Sequence, residues 1–367
     1  MELKINRYIK EQTKVSYAIE SAGPLPYDID CGEGINIVMT PPAAQAAFQE
    51  LRFDQLQPYP HSVAVKDSII RYWEGYAHLE YPRILLCDGS ISGLYLINRL
   101  FLESGDRVLG YVPQFSEYET DVKMHGCIFD RVLLKKENNY AFSAEDVISA
   151  LTEEHKLIYL DNPNNPTGQI LSLEDIEKIL LAAQKLGVAV IVDEAYGDYM
   201  PKKNAAAALL DRYDNLIVIK TFSKGFGLAG LRAGYLLLPE ALVPYMGNIT
   251  NPYAMSELSR SIAAKTIQDE AFLEELCNKT AELKRELLAL PLKNISIAKT
   301  AETVSICLLT HQDPSFDLAE AFAEHKILVI SGKDFYAIGK NSCRLRIPAP
   351  EDMPRVLEAL LAIDAAL

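Results

Sequence analysis

Basic residues are in short supply in this chain of 367 residues: 36 lysines and arginines stand against 50 aspartates and glutamates, a formal net charge of -14. Nucleic-acid phosphates require a basic face on the protein that binds them. The charge balance therefore argues against a nucleic-acid-binding function. It leaves open a small anionic ligand, which needs only local positive charge.

The chain also lacks paired cysteines and long apolar runs. Its six cysteines show no C-x-x-C or other metal-ligand spacing, so we expect reduced thiols and no metal site. No apolar stretch reaches the roughly 20 residues of a membrane helix. The N-terminal segment MELKINRYIKEQ has no apolar signal-peptide core. We therefore expect a soluble, cytoplasmic protein that does not bind a membrane.

Apolar strand-like runs alternate with helical patterns between residues 83 and 238. Ser143 and Ser172 are each followed three residues later by an aspartate, a pattern typical of a capped helix N-terminus. Strands separated by helices predict an α/β fold with a mostly parallel sheet that is covered on both faces. The strand-like runs are 83–87, 106–112, 127–134, 156–163, 188–196, 215–222 and 233–239.

The chain is long enough for two domains. Residues 256–290 form a long charged helical pattern that would connect to a second lobe, in which strand-like runs recur. We predict a large domain over residues 46–251 and a smaller α/β domain built from residues 1–45 and 252–367. The runs of the second lobe are 303–309, 327–331 and 343–347.

Polar residues follow four strand-like runs of the first lobe. Ligands of open α/β sheets bind beyond the carboxyl ends of the strands, so these residues are candidates for a site. We expect a phosphate-binding turn, an amide, a carboxylate, a phenol and a lysine along one sheet edge. They are Asp88, Gly89 and Ser90; DNPNNPTG at 161–168; Asp193 and Tyr196; and Thr221, Ser223 and Lys224.

This set of groups suits pyridoxal phosphate. A lysine amine can form a Schiff base with the cofactor aldehyde, and a buried carboxylate can keep the pyridine nitrogen protonated. Backbone N–H groups at a helix N-terminus, hydroxyls and an arginine can bind the phosphate. Each feature alone is weak, because a lysine after a strand is usually a surface residue and NPTG can be an ordinary turn. Their combination on successive strand ends carries the prediction.

A dinucleotide-binding loop is the competing interpretation, since Gly225-x-Gly227-x-x-Gly230 has the required spelling. Such a loop opens a crossover helix and has an acidic residue about 20 positions further on. Here the strand-like run AGYLLL begins within a few residues of Gly230 and leaves no room for that helix. Glu240 comes too early to be the acidic residue. The sequence therefore favours pyridoxal phosphate.

The series NNPTG, DEAY and T-x-S-K-x-x-x-L-A-G-L-R-x-G-Y resembles the fold-type I pyridoxal-phosphate aminotransferases, in particular the branch of histidinol-phosphate aminotransferase and threonine-phosphate decarboxylase. The similarity runs from about residue 28 to the C-terminus and is strongest over 156–236. It implies transfer of an amino group between an amino acid and a 2-keto acid. A pyridoxal-phosphate-dependent decarboxylase, lyase or cyclase is the alternative, because the same scaffold supports those reactions.

The resemblance also implies a role for individual residues. Lys224 would bond covalently to pyridoxal phosphate and carry the proton during catalysis, and Asp193 would pair with the pyridine nitrogen. Tyr59, in QPYP, matches a tyrosine that reaches the neighbouring subunit's phosphate, so the resemblance implies a homodimer with shared active sites. The remaining cofactor residues would be Asn165 and Tyr196 at the ring oxygen, Phe115 stacked on the ring, and Ser90, Ile91, Thr221, Ser223 and Arg232 at the phosphate.

Arg346 aligns with the arginine that binds the substrate α-carboxylate. Arg344 is the obvious alternative, because alternation along a strand puts both side chains on one face. Members that recognise a phosphorylated substrate carry an arginine where this chain has Ile330, so we expect a substrate without a phosphate. Lys333 could compensate for that difference.

The N-terminal segment that covers the substrate in this family usually reads N-P-x-G. This chain has Asn36-Ile37-Val38-Met39 at that place and thus retains the asparagine alone. We expect Gly34 and Asn36 to line the substrate site. The altered segment leaves the specificity for the substrate side chain open.

Overall fold

A computed structural model describes residues 3–12 and 26–366 of the protein. Its strands, in chain order, are β1 (Ile29–Asp30), β2 (Ile84–Cys87), β3 (Arg107–Val112), β4 (Ile128–Leu133), β5 (His155–Asp161), β6 (Ala189–Asp193), β7 (Leu216–Thr221), β8 (Gly234–Leu237), β9 (Ile295–Ile297), β10 (Ile306–His311), β11 (Ile327–Leu328), β12 (Ile330–Ser331) and β13 (Ser342–Arg346).

The α-helices connect these strands and cover them. In chain order they are α1 (Arg7–Glu11), α2 (Pro42–Gln49), α3 (Ala64–Tyr72), α4 (Ser90–Phe101), α5 (Ser116–Met124), α6 (Ala144–Ala150), α7 (Leu173–Gln184), α8 (Val243–Ile249), α9 (Glu257–Thr266), α10 (Glu270–Leu288), α11 (Leu318–Glu324) and α12 (Met353–Ala365). The side chains of Ser143 and Ser172 accept the backbone N–H groups of Asp146 and Asp175 at the starts of α6 and α7, as the sequence predicts.

A seven-stranded sheet forms the centre of the larger lobe, with the order β2-β8-β7-β6-β5-β3-β4. Strands β3 to β7 run parallel, and β8 runs antiparallel to both β2 and β7. Side chains alternate between two cores: Val190 and Val192 pack on one face of β6 and Ile191 on the other. The predicted α/β fold with a mostly parallel sheet is confirmed.

The smaller lobe has a four-stranded antiparallel sheet, β12-β13-β10-β9, and a separate apolar core. The helical pattern over 256–290 is two helices rather than one: α9 ends at Thr266, and Asp269 caps α10 by accepting the backbone N–H of Phe272. The proposed domain boundaries at residues 45/46 and 251/252 stay a prediction.

An extended N-terminal segment, residues 28–36, joins the two lobes. Strand β1 pairs in parallel with β11, and the backbone N–H of Arg346 donates to Cys31 at 2.9 Å. At its other end the N–H of Asn36 donates to the carbonyl of Lys224 at 2.9 Å. The segment therefore runs from the small-lobe sheet to the loop that follows β7.

None of the helices in the described parts of the chain combines the length and apolar character needed to cross a membrane. Within the same residues, histidine, cysteine, aspartate and glutamate form no group of three or more that could hold a metal ion.

Candidate active site

A cavity of about 530 Å³ lies at the carboxyl ends of β5, β6 and β7. The parallel register puts the ends of these strands at one edge, which is where the sequence predicts a site. Most of the predicted residues line this cavity. They are Gly34, Ser90, Ile91, Phe115, Asn165, Asp193, Tyr196, Ser223, Lys224 and Arg232.

Lys224 follows β7 in a tightly packed glycine loop. Its Nζ lies 5.5 Å from the centre of the Tyr196 ring. A Cβ added to Gly225 would lie 2.3 Å from the Cβ of Asp198, and one added to Gly227 would lie 2.7 Å from the Asn36 carbonyl oxygen. These glycines permit close packing of the loop that presents Lys224. Only a short 3-10 turn, Ala229–Leu231, precedes β8, so this loop does not open the helix that a dinucleotide-binding loop requires.

Asp193 ends β6 as a buried carboxylate at the floor of the cavity. Burial raises the pKa of Asp193 to about 7, although the Tyr159 hydroxyl donates to its Oδ2 at 3.0 Å and the Ala195 N–H donates to its Oδ1 at 3.0 Å. The negative charge of Asp161, its register partner on β5, also raises this pKa. Such a carboxylate favours a cation beside it.

The turn from β2 into α4 forms an anion-binding cradle. Gly89 has φ +79° and precedes α4, whose first backbone N–H groups have no partner within the helix. A Cβ at Gly89 would lie 2.5 Å from Nη2 of Arg232, so the cradle needs glycine. Ser223 lines the cavity, whereas Thr221 lies behind it and pairs with the Ser223 hydroxyl at 2.9 Å.

Tyr196 and Asn165 line the cavity near Lys224. The Tyr196 hydroxyl is buried and has no hydrogen-bond partner among the described residues. A Cβ at Gly34 would lie 1.8 Å from that hydroxyl, which explains a glycine at this point of the N-terminal segment. The Asn165 side-chain oxygen accepts from Nη1 of Arg344 at 2.8 Å.

These residues fit pyridoxal phosphate. A buried carboxylate is available for the ring nitrogen, an unpartnered hydroxyl for the ring oxygen, and a glycine cradle beside an arginine for the phosphate. Lys224 supplies the amine for the covalent bond. The sequence predicts this combination, and the structure brings its members to one cavity.

Neither Arg346, which the sequence favours for the substrate carboxylate, nor Arg344 is among the residues that line the cavity, and the choice between them stays a prediction. The Arg346 guanidinium donates through one N–H of each nitrogen to the carbonyls of Asp30, Glu33 and Ile347, and it forms an ion pair with the Asp30 carboxylate at 3.9 Å. Arg344 instead reaches Asn165 on the cavity wall. On β13, Arg344 lies opposite Ile330, which lines the cavity, and Arg346 lies two residues further along the strand. The two side chains share a strand face, but their guanidinium groups have different hydrogen-bond partners.

Asn36 and Tyr59 also lie outside the cavity lining. The Asn36 amide nitrogen donates to the carbonyls of Met39 and Gly225, so its side chain ties the N-terminal segment to the lysine loop rather than facing a substrate. Tyr59 is 70% exposed and stacks on Tyr253 with 4.6 Å between the ring centres.

Sequence reasoning gave no role to several residues that line the cavity. Asp161 is the most prominent, because it is a second buried carboxylate at a strand end. The rule that identified Asp193 at the end of β6 applies equally to Asp161 at the end of β5. The others are Asp30, Gly32, Glu33, Tyr95, Glu117, Pro163, Ala195, Ala229 and Leu328.

The family model described as "Aminotransferase class I and II" matches residues 28–360. A histidinol-phosphate aminotransferase from Ruminiclostridium cellulolyticum is 30% identical over 95% of this chain and 96% of its own. Another, from Methanocaldococcus jannaschii, is 28% identical over 84% of this chain and 82% of its own.

Solved structures show the same fold. The histidinol-phosphate aminotransferase from Clostridium acetobutylicum superposes with a TM-score of 0.81 at 21% identity, covering 92% of this chain and 100% of the other. A tetra mutant of Thermus thermophilus aspartate aminotransferase gives 0.80 at 19% identity, covering 98% and 99%. From the family match over nearly the whole chain and the site described above, the protein belongs to the aminotransferase class I and II family and is a pyridoxal-phosphate-dependent aminotransferase of fold type I.

Proposed function

We propose that this aminotransferase moves an amino group between an amino acid and a 2-keto acid, neither of which carries a phosphate. The observation that carries the proposal is that Lys224, Asp193 and the unpartnered Tyr196 hydroxyl line one and the same cavity. The assignments below extend from that arrangement.

Bound pyridoxal phosphate supplies a ring that stores the electron pair released when the substrate Cα–H bond breaks. Lys224 accepts the Cα proton through its neutral amine and later returns a proton to the reacting carbon skeleton. Asp193 holds a proton on the ring nitrogen: burial raises the pKa of this carboxyl, and a cationic partner offsets the cost of keeping it ionised.

The other wall residues hold the ring and its phosphate. Tyr196 and Asn165 bind the ring oxygen and Phe115 stacks on the ring face. The phosphate takes the backbone N–H groups of Ser90 and Ile91 together with Ser223 and Arg232, while Thr221 orients the Ser223 hydroxyl. Each role matches a donor or acceptor on the cavity wall or directly behind it.

Arg344 binds the substrate α-carboxylate in this proposal, in place of Arg346. It is fully buried, its Nη1 donates to Asn165 at 2.8 Å, and its Nη2 donates to the carbonyl of Gly32 in the N-terminal segment. A guanidinium held between these groups is pre-oriented for a planar anion. Arg346 supports the same segment from behind through its bonds to Asp30 and Glu33.

The charges of the cavity wall support a substrate without a phosphate. Ile330 and Leu328 line it from the small lobe, and the carboxylates of Asp30, Glu33 and Glu117 line it as well. Among the described residues, the lysines and arginines on its wall are Lys224 and Arg232, both assigned to the cofactor; Arg344, assigned to the α-carboxylate, lies behind Asn165. Lys333, which could have replaced the absent arginine, pairs with Asp317 at 2.7 Å and does not line the cavity.

The visible absorbance of the holoenzyme during reaction with single amino donors tests this proposal. We expect common amino acids to remove the absorbance and to yield keto acids. They should react at least about tenfold faster than histidinol phosphate, which has no α-carboxylate and whose phosphate would meet the carboxylates of the cavity wall. The Lys224→Ala variant should not react. A faster reaction with histidinol phosphate would contradict the substrate proposal, and carbon dioxide in place of keto acid would indicate a decarboxylase.

We also propose a homodimer in which Tyr59 of one subunit contacts the phosphate bound by the other. Support comes from the exposed apolar side chains of Tyr253, which stacks on Tyr59, and of the segment that precedes Tyr59 in the chain. They are Phe48 (67% exposed), Phe53 (81%), Leu56 (50%) and Tyr253 (47%).

A further inference from the structure

Asp161 is a buried carboxylate of the cavity to which the proposed mechanism gives no task. It ends β5, is 3% exposed, and lies beside Asp193 in the register of the two parallel strands. Two buried carboxylates side by side repel each other and lose hydration, which raises the free energy of the folded protein. Other interactions must therefore offset this cost.

Four donors converge on this carboxylate. Its Oδ1 accepts the Tyr111 hydroxyl at 2.6 Å and the Asn164 amide at 3.0 Å. Its Oδ2 accepts the backbone N–H of Asn165 at 3.0 Å and that of Phe115 at 3.3 Å. Because all four partners donate, a carboxylate satisfies them and an amide cannot.

The two backbone donors belong to different loops. Phe115 follows β3 and Asn165 follows β5, and both side chains line the cavity. Asn164 strengthens the same connection, because its amide donates to the carbonyl of Pro113 at 3.1 Å as well as to Asp161. The Asp161 carboxylate thus fixes the position of Phe115, assigned to the ring face, relative to Asn165, assigned to the ring oxygen.

We propose that Asp161 is a positioning residue: its carboxylate clamps the loops of Asn165 and Phe115 together and so sets the width of the slot that receives the cofactor ring. The inference rests on the proposed function, since the roles of Asn165 and Phe115 belong to it. Asp161 also places a second negative charge near Asp193, which favours a cation at the ring nitrogen.

The titratable groups that face Asp161 come from three strands and a turn: Tyr111 on β3, Tyr159 on β5, Asp193 on β6, and Tyr196 after β6. Burial raises the pKa of Asp161 to about 6, whereas its four hydrogen bonds lower it. The carboxylate is therefore mainly ionised at neutral pH and above, which is the state that the four donors require.

Asp161→Asn in the full chain tests the inference, with Asp364→Asn as the matched control. Asp364 is also buried and accepts three backbone N–H groups, from Lys293, Asn294 and Ile295 at 2.8 Å each, but it lies in α12 away from the cavity. Both variants should lose thermal stability, because each places an amide against backbone donors.

Only Asp161→Asn should weaken pyridoxal phosphate binding, by about tenfold in a titration followed by visible absorbance. The absorbance of the bound cofactor changes when it loses a proton, and the variant should shift the midpoint of this change to lower pH. The reason is that the negative charge of Asp161 stabilises the protonated form of the bound cofactor, and the variant lacks that charge. A purely structural loss, as in Asp364→Asn, would not move that midpoint.

Wild-type affinity and an unshifted midpoint in Asp161→Asn would overturn the inference. If that variant does not fold, Tyr111→Phe removes one donor and should weaken binding by about threefold; unchanged binding there would equally overturn it. A wild-type chain that binds no pyridoxal phosphate would instead overturn the proposed function on which the inference rests.

Discussion

At the scale of single residues, Arg344 and Arg346 have almost the same burial and different partners. Arg344 donates to the Asn165 side chain on the cavity wall and to the Gly32 carbonyl. Arg346 donates to three main-chain carbonyls and forms an ion pair with the Asp30 carboxylate. Substitution by lysine keeps the charge and removes the planar, forked geometry. The two substitutions should therefore affect different properties of the enzyme.

Arg344→Lys should raise KM for the amino acid by about 10- to 100-fold, which corresponds to roughly 1.4–2.8 kcal/mol for a lost bidentate contact. Arg346→Lys should leave KM within about threefold of wild type and lower the melting temperature, since its carbonyl partners lose buried donors. Steady-state kinetics and thermal unfolding of both variants measure these effects. A large increase in KM confined to Arg346→Lys would restore the assignment suggested by the sequence.

Local sequence patterns indicate which side chains stand at strand ends, but they cannot choose between two candidates that share a periodicity; the roles of all these residues stay predictions. Lys224 and Asp193 follow buried strands, and the parallel sheet brings both to one cavity. Arg344 and Arg346 are two residues apart on β13, so alternation alone cannot separate them. Their different partners are set by tertiary packing against the N-terminal segment and Asn165, which no local pattern encodes.

At the scale of elements, the junction of β2 and α4 depends on Gly89. Its φ of +79° and the 2.5 Å approach of Arg232 each disfavour a side chain. Gly187 provides a matched control after α7, because it has φ +70° and no atom within 4 Å of an added Cβ. Both glycines have a positive φ, but Gly89 combines it with ψ 166°, a region essentially restricted to glycine, and has an arginine beside it.

Gly89→Ala should weaken pyridoxal phosphate binding by at least about tenfold, because the methyl group displaces the Arg232 guanidinium from the phosphate cradle. Gly187→Ala should bind the cofactor normally and lose about 1 kcal/mol of stability from the left-handed conformation alone. Cofactor titration and denaturant unfolding separate the two effects. Equal affinities in both variants would argue against a phosphate at this cradle.

Element order was predictable because alternating strands and helices carry a strong local signal. The capping serines at 143 and 172 and the buried strands β5 to β7 appear where the sequence places them. The break between α9 and α10 was not predicted, because the apolar and charged pattern continues through it. Asp269 produces the break by capping a new helix, a local hydrogen bond that competes with helix continuation.

At the scale of the whole molecule, the shared active site of the proposed dimer depends on Tyr59, which lies outside the cavity lining of its own chain. Neither charge nor periodicity could indicate this arrangement, because the relevant contact would join two copies of the chain. Its exposed ring, stacked on Tyr253, is a surface feature of the single chain. Whether Tyr59 acts on the neighbouring subunit can be tested by mixing two inactive variants and measuring the aminotransferase activity of the hybrid dimer.

Lys224→Ala and Tyr59→Ala should each be nearly inactive alone. If Tyr59 completes the neighbour's site, a hybrid dimer contains one doubly altered site and one intact site. Random pairing of equal amounts then restores about a quarter of wild-type activity.

Lys224→Ala paired with Arg232→Ala is the control. Arg232 and Lys224 line the same cavity of one chain, so no intact site forms and no activity should return. Recovery is measured after co-expression of differently tagged chains and isolation of the doubly tagged hybrid, which, freed of the two parental dimers, should have about half of wild-type activity. Because a tyrosine acting within its own chain gives no recovery in either mixture, failure with Tyr59→Ala would remove the shared site even if the protein proved dimeric.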